Sequence, residues 1–442
     1  MLKRIKGTPA PQGVYLPIAE AKFPSFFYDG LQYSPPARGT WNIVHTNMLV
    51  PESHQIYICA LGCLRGVVLT AAEMGALSRF SSIVVEEKHL FDGTMEDTVL
   101  RGTAEILSRL PKAPKACFIY PSCIHHFMGC DWQHVYKQLV SDYPHISFVP
   151  CWMDPIRRHS KLTAEMRTRR QIYSLLEKQA VDGTSLNMIG SNLPVRPQCE
   201  LSSLLRANGY RLRQLPTCTS YEEYLAMGSS FLNIGQEPLA HIALAALEKR
   251  LGQQQVYLSA AWNYEEIEAN LQRLAQLLQI AVPAYTETKK QCDRRLQEAL
   301  KIVGGRPIAI DFTAVTRPFS LARLLLEQGF NVQRIYCDTA VPDDEADVAL
   351  LQRHFPTVRV YAVRHAYMHA AARTDTDFLA IGQKAAYYTG TSHFVNIVEG
   401  GGWRDYAGIQ EMARQLIKAV REEKSAAAYI QQKGWGLSLI HI

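Results

Sequence analysis

No stretch of the 442 residues approaches the ~20 consecutive apolar side chains that a helix needs to cross a bilayer, and the start, MLKRIKGTPAPQG, lacks the apolar centre of a secretory signal. A cytoplasmic protein with no membrane partner is expected. The segments G-x-x-x-x-G-K-S/T, G-x-S-x-G and H-E-x-x-H are also missing, which excludes an ATP site of the P-loop kind, a serine-hydrolase elbow and a zinc-protease helix. There is no C-x2-C pair either, which lowers the case for a zinc ribbon. Lys and Arg (47) are mixed with Asp and Glu (41) rather than gathered into a basic run, and the net charge of +6 is modest, so nucleic acid is not the expected partner.

What is present is an ordinary folded composition, 47% hydrophobic and 20% charged, in a chain too long for a single core. Its ten cysteines exceed what packing needs in a cytosolic chain and are too sparse for a disulfide scaffold, so metal or redox chemistry is the leading reason for them. Residues 1–40 are rich in proline and read as an arm over the surface or a partner. From there, short β-branched runs (QIYICALG, SSIVVEE, ACFIYPSC, HISFVPCW) alternate with segments of helical period such as MEDTVLRGTAEILSRL. That alternation predicts a parallel sheet flanked by helices, and it recurs twice more. The expected architecture is α/β, with three Rossmann-like domains at 41–180, 181–300 and 301–425, followed by a tail at 426–442.

Open parallel sheets bind ligands beyond the carboxyl ends of their strands. Cys59 and Cys63 lie four apart across one such end in YICALGCLRG, and Cys123 ends another strand of the same sheet in YPSCIHHFMGCDW. Thiolates converging there suit an iron–sulfur cluster or zinc. Cys151 and Cys130 are further candidate ligands with structural packing as the alternative, whereas Cys117 within a strand and Cys292 within a helix read as packing. His125 and His126 follow Cys123 and are the candidate catalytic residues, as proton donors or metal ligands. Arg157 and Arg158 could hold an anionic cofactor or substrate, or dock an acidic partner, the alternative being a solvated helical face. Gly401, in the turn GGGW before a helix, could receive an anion or an extended cofactor.

The order of these motifs resembles the nitrogenase component 1 type oxidoreductases, which include the nitrogenase molybdenum–iron protein α and β subunits, cofactor-assembly scaffold subunits and protochlorophyllide reductase-like subunits. A cluster-ligating Cys ending a His-Gly-x-x-Gly-Cys segment is matched by ICALGC, hence Cys63. A Phe-Gly-Gly-like turn is matched by FDGTMEDTVLRG, and a second ligand with an Ile-Gly-Asp-Asp-like tail by FIYPSCIHHFMGCD, hence Cys123. Weaker likeness runs through FLNIGQEPLAHIALAALEKRLG and GGGWRDYAGIQEMARQL. The family's upstream ligand is absent from GTWNIVHTNM, so Cys59, where relatives have Gly, or a ligand from the partner subunit must replace it. The family's molybdenum–iron cofactor anchors fall near Gln236, where no Cys stands, and near Val395, with His393 the closest imidazole. Dinitrogen reduction on a cofactor anchored in that manner is therefore not expected.

The resemblance implies an iron–sulfur cluster of the [4Fe-4S] kind or larger. It also implies a homologous partner subunit in a dimer or tetramer, and a separate ATP-hydrolysing iron–sulfur reductase that delivers electrons for reduction of a substrate. A non-catalytic scaffold for metallocluster assembly is the alternative within the family, and a small-ligand-binding α/β protein with structural cysteines is the alternative outside it.

Overall fold

The computed structural model describes residues 13–27, 33, 35, 42–151, 153, 164–371, 373–426 and 428. Strand β1 (Tyr15–Pro17) comes first. β2 (Ser53–Cys59), β3 (Phe80–Val84), β4 (Ala116–Pro121) and β5 (Ser147–Pro150) form a parallel sheet in the order β3-β2-β4-β5. β6 (Asp182–Ile189), β7 (Arg211–Gln214), β8 (Ser230–Gly235) and β9 (Gln254–Tyr257) form a second, in the order β7-β6-β8-β9. β10 (Ile308–Asp311), β11 (Val332–Tyr336), β12 (Arg359–Tyr361), β13 (Leu379–Ile381) and β14 (Phe394–Val395) make the third, in the order β1-β12-β11-β10-β13-β14. The fold is α/β with three Rossmann-like sheets, as expected. The added feature is β1, which the proline-rich arm contributes antiparallel to β12.

The chain divides into two compact units. One holds the described residues of 41–194 and 210–257, and so the first two sheets. The other holds those of 1–40, 195–209 and 258–436, and so the third. In the first sheet all seven residues of β2 are buried, because helices cover both faces, and period two sorts its side chains. Ile56 and Ile58 join Cys117 and Ile119 in one core, while Tyr57 and Cys59 join Phe118 and Tyr120 in the other. On that second face the Tyr57 and Tyr120 rings lie parallel at 4.3 Å, and Phe80 stacks on Tyr57 at 5.0 Å. This cross-strand ladder holds β2, β3 and β4 in register beneath their carboxyl ends.

In the third sheet, buried Asp311 ends β10. Its Oδ1 accepts the Thr313 N–H at 2.8 Å, and its Oδ2 accepts the Ala385 N–H at 2.9 Å. Gly382, at φ +102°, makes room for it, since a Cβ there would lie 2.2 Å from Asp311 Oδ2. Gly382→Ala is therefore expected to cost at least about 2 kcal/mol, from left-handed strain and displacement of a buried carboxylate, and to lower the urea midpoint. An unchanged midpoint would show that the loop relaxes freely.

Candidate functional site

β2 and β4 are neighbours, with Ile58 opposite Pro121, so the two chains leave the sheet side by side. After β2, Ala60 is extended and the chain turns at once into the helix Leu61–Glu73, with the Cys63 N–H donating to Ala60 O at 2.9 Å. Cys63 therefore stands in the first turn of that helix, exposed. After β4, the Ser122 N–H donates to Ile58 O at 3.1 Å, and the short helix Cys123–Phe127 opens with a partly exposed Cys123. Cys59, the last residue of β2, lies beneath them and is fully buried. Burial pushes its thiol up to about 12, and the neighbouring Cys63 and Cys123 thiols push the same way. Both neighbouring thiols thus lie close enough to Cys59 to oppose its ionisation, and all three residues stand at the strand ends where the sheet topology favours a ligand.

Among the described residues no three His, Cys, Asp or Glu side chains converge tightly enough for one metal ion. Thiolates sharing a single zinc at ~2.3 Å lie within about 4 Å of each other, so this wider arrangement disfavours zinc. An iron–sulfur cluster spreads its thiolates over several irons, and it accords with an all-sulfur donor set gathered at a partly exposed rim.

The other candidate residues have different surroundings. Cys151 follows β5 and is wholly buried, with its Sγ 3.4 Å from Asn47 Nδ2; Asn47 also donates to the Tyr120 hydroxyl. Burial pushes this thiol up, against the Tyr120 and Asn47 side chains that hydrogen-bond to it, and the Cys117 thiol adds to the shift. His125 is buried beside Trp132, with ring centroids 5.1 Å apart, and burial lowers its pKa to about 4. Its imidazole is therefore neutral at pH 7; Nδ1 lies 3.4 Å from Ser122 Oγ, and Nε2 is enclosed without a hydrogen-bond partner. His126 is half-exposed next to Phe127. Arg157 and Arg158 lie outside the described residues.

His393 begins at the amino end of β14, with its Nδ1 3.0 Å from Ala419 O. That is the end of the sheet opposite to the one where ligands gather. Gly400, Gly401 and Gly402 all take positive φ (68°, 60° and 80°). Their wrap serves two guanidinium groups: Arg404 Nη1 donates to Glu399 O at 3.2 Å and Trp403 O at 3.0 Å, and Arg196 Nε donates to Gly401 O at 3.1 Å. A Cβ on Gly400 would come within 2.6 Å of Arg404 Nη1, so the glycines are explained by a carbonyl cradle for arginine.

Reasoning from sequence did not single out four exposed apolar residues that follow β2, β3 and β4. Leu61 (72% exposed) opens the helix after β2, Phe91 (86%) closes the helix after β3, and Phe127 (69%) and Met128 (52%) follow Cys123. The available signal was an apolar residue within seven positions of the end of each of three adjacent strands, in the first helix that follows it. No helix among the described residues is long and apolar enough to cross a membrane.

The family model for nitrogenase component 1 type oxidoreductases matches residues 66–420, a span that begins just after Cys63 and includes Cys123. No curated protein matches. Among solved structures, one of nitrogenase Cp1 at pH 6.5 superposes with a TM-score of 0.68 at 14% identity, covering 89% of this chain and 94% of its own. Another, of nitrogenase Cp1 at pH 5, does so with a TM-score of 0.63 at 12% identity, covering 95% of each chain. At such identities the likeness is one of fold.

Proposed function

The chain belongs to the nitrogenase component 1 type oxidoreductase family, and from that premise we propose that it is one subunit of an iron–sulfur oxidoreductase fed by a separate ATP-hydrolysing reductase. The observation that carries this reading is that Cys59 ends β2 while Cys63 and Cys123 open the helices that follow β2 and its hydrogen-bonded neighbour β4, so all three stand at one end of the first sheet. Cys63 and Cys123 are the first ligands, since both reach the rim while held by backbone hydrogen bonds to the sheet. Cys59 is the third. Its buried thiol gives up a proton at neutral pH only if a metal takes the sulfur, so its ligation is coupled to loading. When bound, an iron–sulfur cluster would supply one-electron redox chemistry at this rim.

The protein's own groups set the surroundings. The helix Leu61–Glu73 turns the positive end of its dipole toward the Cys63 sulfur. Leu61, Phe127 and Met128, exposed apolar residues within five positions of Cys63 or Cys123, are the side chains that a homologous subunit would cover. His126, half-exposed and three residues after Cys123, is the candidate proton donor, while neutral His125 packs against Trp132.

Protein purified without oxygen is expected to contain iron and acid-labile sulfide in near-equal amounts, to show an EPR signal on reduction, and to run as a dimer or larger even-numbered assembly by light scattering. Reoxidation of that signal by substrate, dependent on the reductase and MgATP, separates this reading from a scaffold that only assembles clusters. Iron without sulfide, or neither, would sink the proposal.

A further inference from the structure

Beyond the carboxyl end of β14 the glycine loop leads into the helix Asp405–Arg421, which packs along the helix Thr286–Val303. Between them opens a groove of about 550 Å³, within the size range of small-molecule sites. Arg295 and Gln291 line one wall and Gln410 and Arg414 the other, with Trp403 and Glu200 where the later helix begins.

The charges of this groove are unevenly settled. Arg414 makes a two-pronged pair with Glu411, at 2.7 and 2.6 Å, and Arg295 pairs with Glu298 at 3.2 Å, so both cations have counterions. Glu200 has none within ion-pair distance among the described residues. One of its oxygens accepts the Ala407 N–H at 3.1 Å, and its charge is opposed by burial and by Asp405, which together push its pKa up to about 7. Asp405 is itself buried, and its Oδ2 accepts the Leu201 N–H at 2.9 Å, so each carboxylate caps the helix that begins with the other. A cation entering here would meet a carboxylate that the protein leaves without an opposite charge. An anion would meet the carboxylates of Glu200 and Glu411, and arginines already paired.

We propose that this groove binds a small organic cation, an amine or amidine, whose charged group pairs with Glu200 while its body lies along Trp403. The Trp403 ring already attracts a guanidinium, with the Arg196 Cζ 5.8 Å from its centroid, so its electron-rich faces suit a cationic ligand. The amides of Gln291 and Gln410 can donate to or accept from the ligand's remaining polar atoms. Nothing in this site depends on the iron–sulfur reading.

The test uses the full chain, with benzamidine as probe and benzoate as the anion of the same shape, measured by titration calorimetry and saturation-transfer NMR. Benzamidine should bind saturably and benzoate at least ten-fold more weakly. Glu200→Gln should weaken benzamidine ten-fold or more. Because Glu200 also caps a helix, Gln410→Arg is measured beside it, placing a cation in the groove while leaving that cap alone, with denaturation midpoints recorded for both. A comparable loss in Gln410→Arg supports the proposal even if Glu200→Gln fails to fold. Equal binding of the two probes, no saturable benzamidine binding, or full affinity in folded Gln410→Arg would overturn it.

Discussion

Replacing either Cys63 or Cys123 by alanine is expected to remove most of the iron and sulfide from protein purified without oxygen, while leaving the denaturation midpoint of the metal-free form within about 0.5 kcal/mol of the parent's. The asymmetry follows from where the side chains lie. Cys63 is exposed in a first helical turn and Cys123 partly exposed, so neither fills a core whose loss would leave a cavity. Their backbone N–H groups and helices persist without the sulfurs. Cys117→Ala is the control, because that thiol is buried among Ile56, Ile58 and Ile119. It should cost stability by its small cavity and leave the iron in place. Cys59→Ser separates the remaining alternatives. A ligand exchanged from sulfur to oxygen shifts the EPR signal and potential, whereas a packed thiol exchanged for a hydroxyl costs only stability. Full iron content in both Cys63→Ala and Cys123→Ala would remove the basis of the site.

The position of these cysteines at strand ends could be read from sequence because the local signals agree with the fold. QIYIC and ACFIY are continuous apolar β-formers, which suits strands buried on both faces, and the cysteines follow them directly. The turn at Ala60 was less legible. Only its extended backbone ends β2 before Cys63, so that Cys63 stands in a helix rather than on the strand. β1 is three residues long and gains its place from pairing Tyr15 with Tyr361, a contact across most of the chain that no local pattern announces. His125 reads from sequence as facing a ligand, but Trp132, seven residues on, covers it. The grouping of residues 195–209 with the third sheet was equally hidden. It rests on bonds such as Leu201 N–H to Asp405 and Ala407 N–H to Glu200, between residues more than two hundred positions apart.

Arg317→Met is expected to destabilise the protein by about 3–5 kcal/mol, because it deletes the cation from a buried cluster and leaves the anions behind. The Arg317 guanidinium is 1% exposed and donates to Glu266, to Asp344 Oδ1 at 3.1 Å, to Asp347 Oδ2 at 2.6 Å and to Ser259 Oγ at 3.3 Å. Asp344 and Asp347 are as buried as the arginine, so neither can turn to water when it is gone. Arg323, whose Nη1 reaches Asp347 at 3.2 Å, can relieve that carboxylate, but its other partners are Glu265 and Glu327 rather than Asp344. The loss should therefore depend on pH with a definite sign. Burial pushes Asp344 up to about 7 even though Arg317 opposes the shift, while the unfolded carboxyl keeps an ordinary value of ~3.9. A carboxyl raised on folding contributes stability that is complete below ~4 and is lost as pH rises through about 7. Without Arg317 that rise extends further, and the variant's deficit in urea midpoint should be largest near pH 8 and shrink toward pH 5, where Asp344 is protonated in both proteins. A deficit unchanged between pH 8 and pH 5 would mean that the arginine serves mainly the half-exposed Glu266, whose charge persists across that range, and would overturn the role given to Asp344.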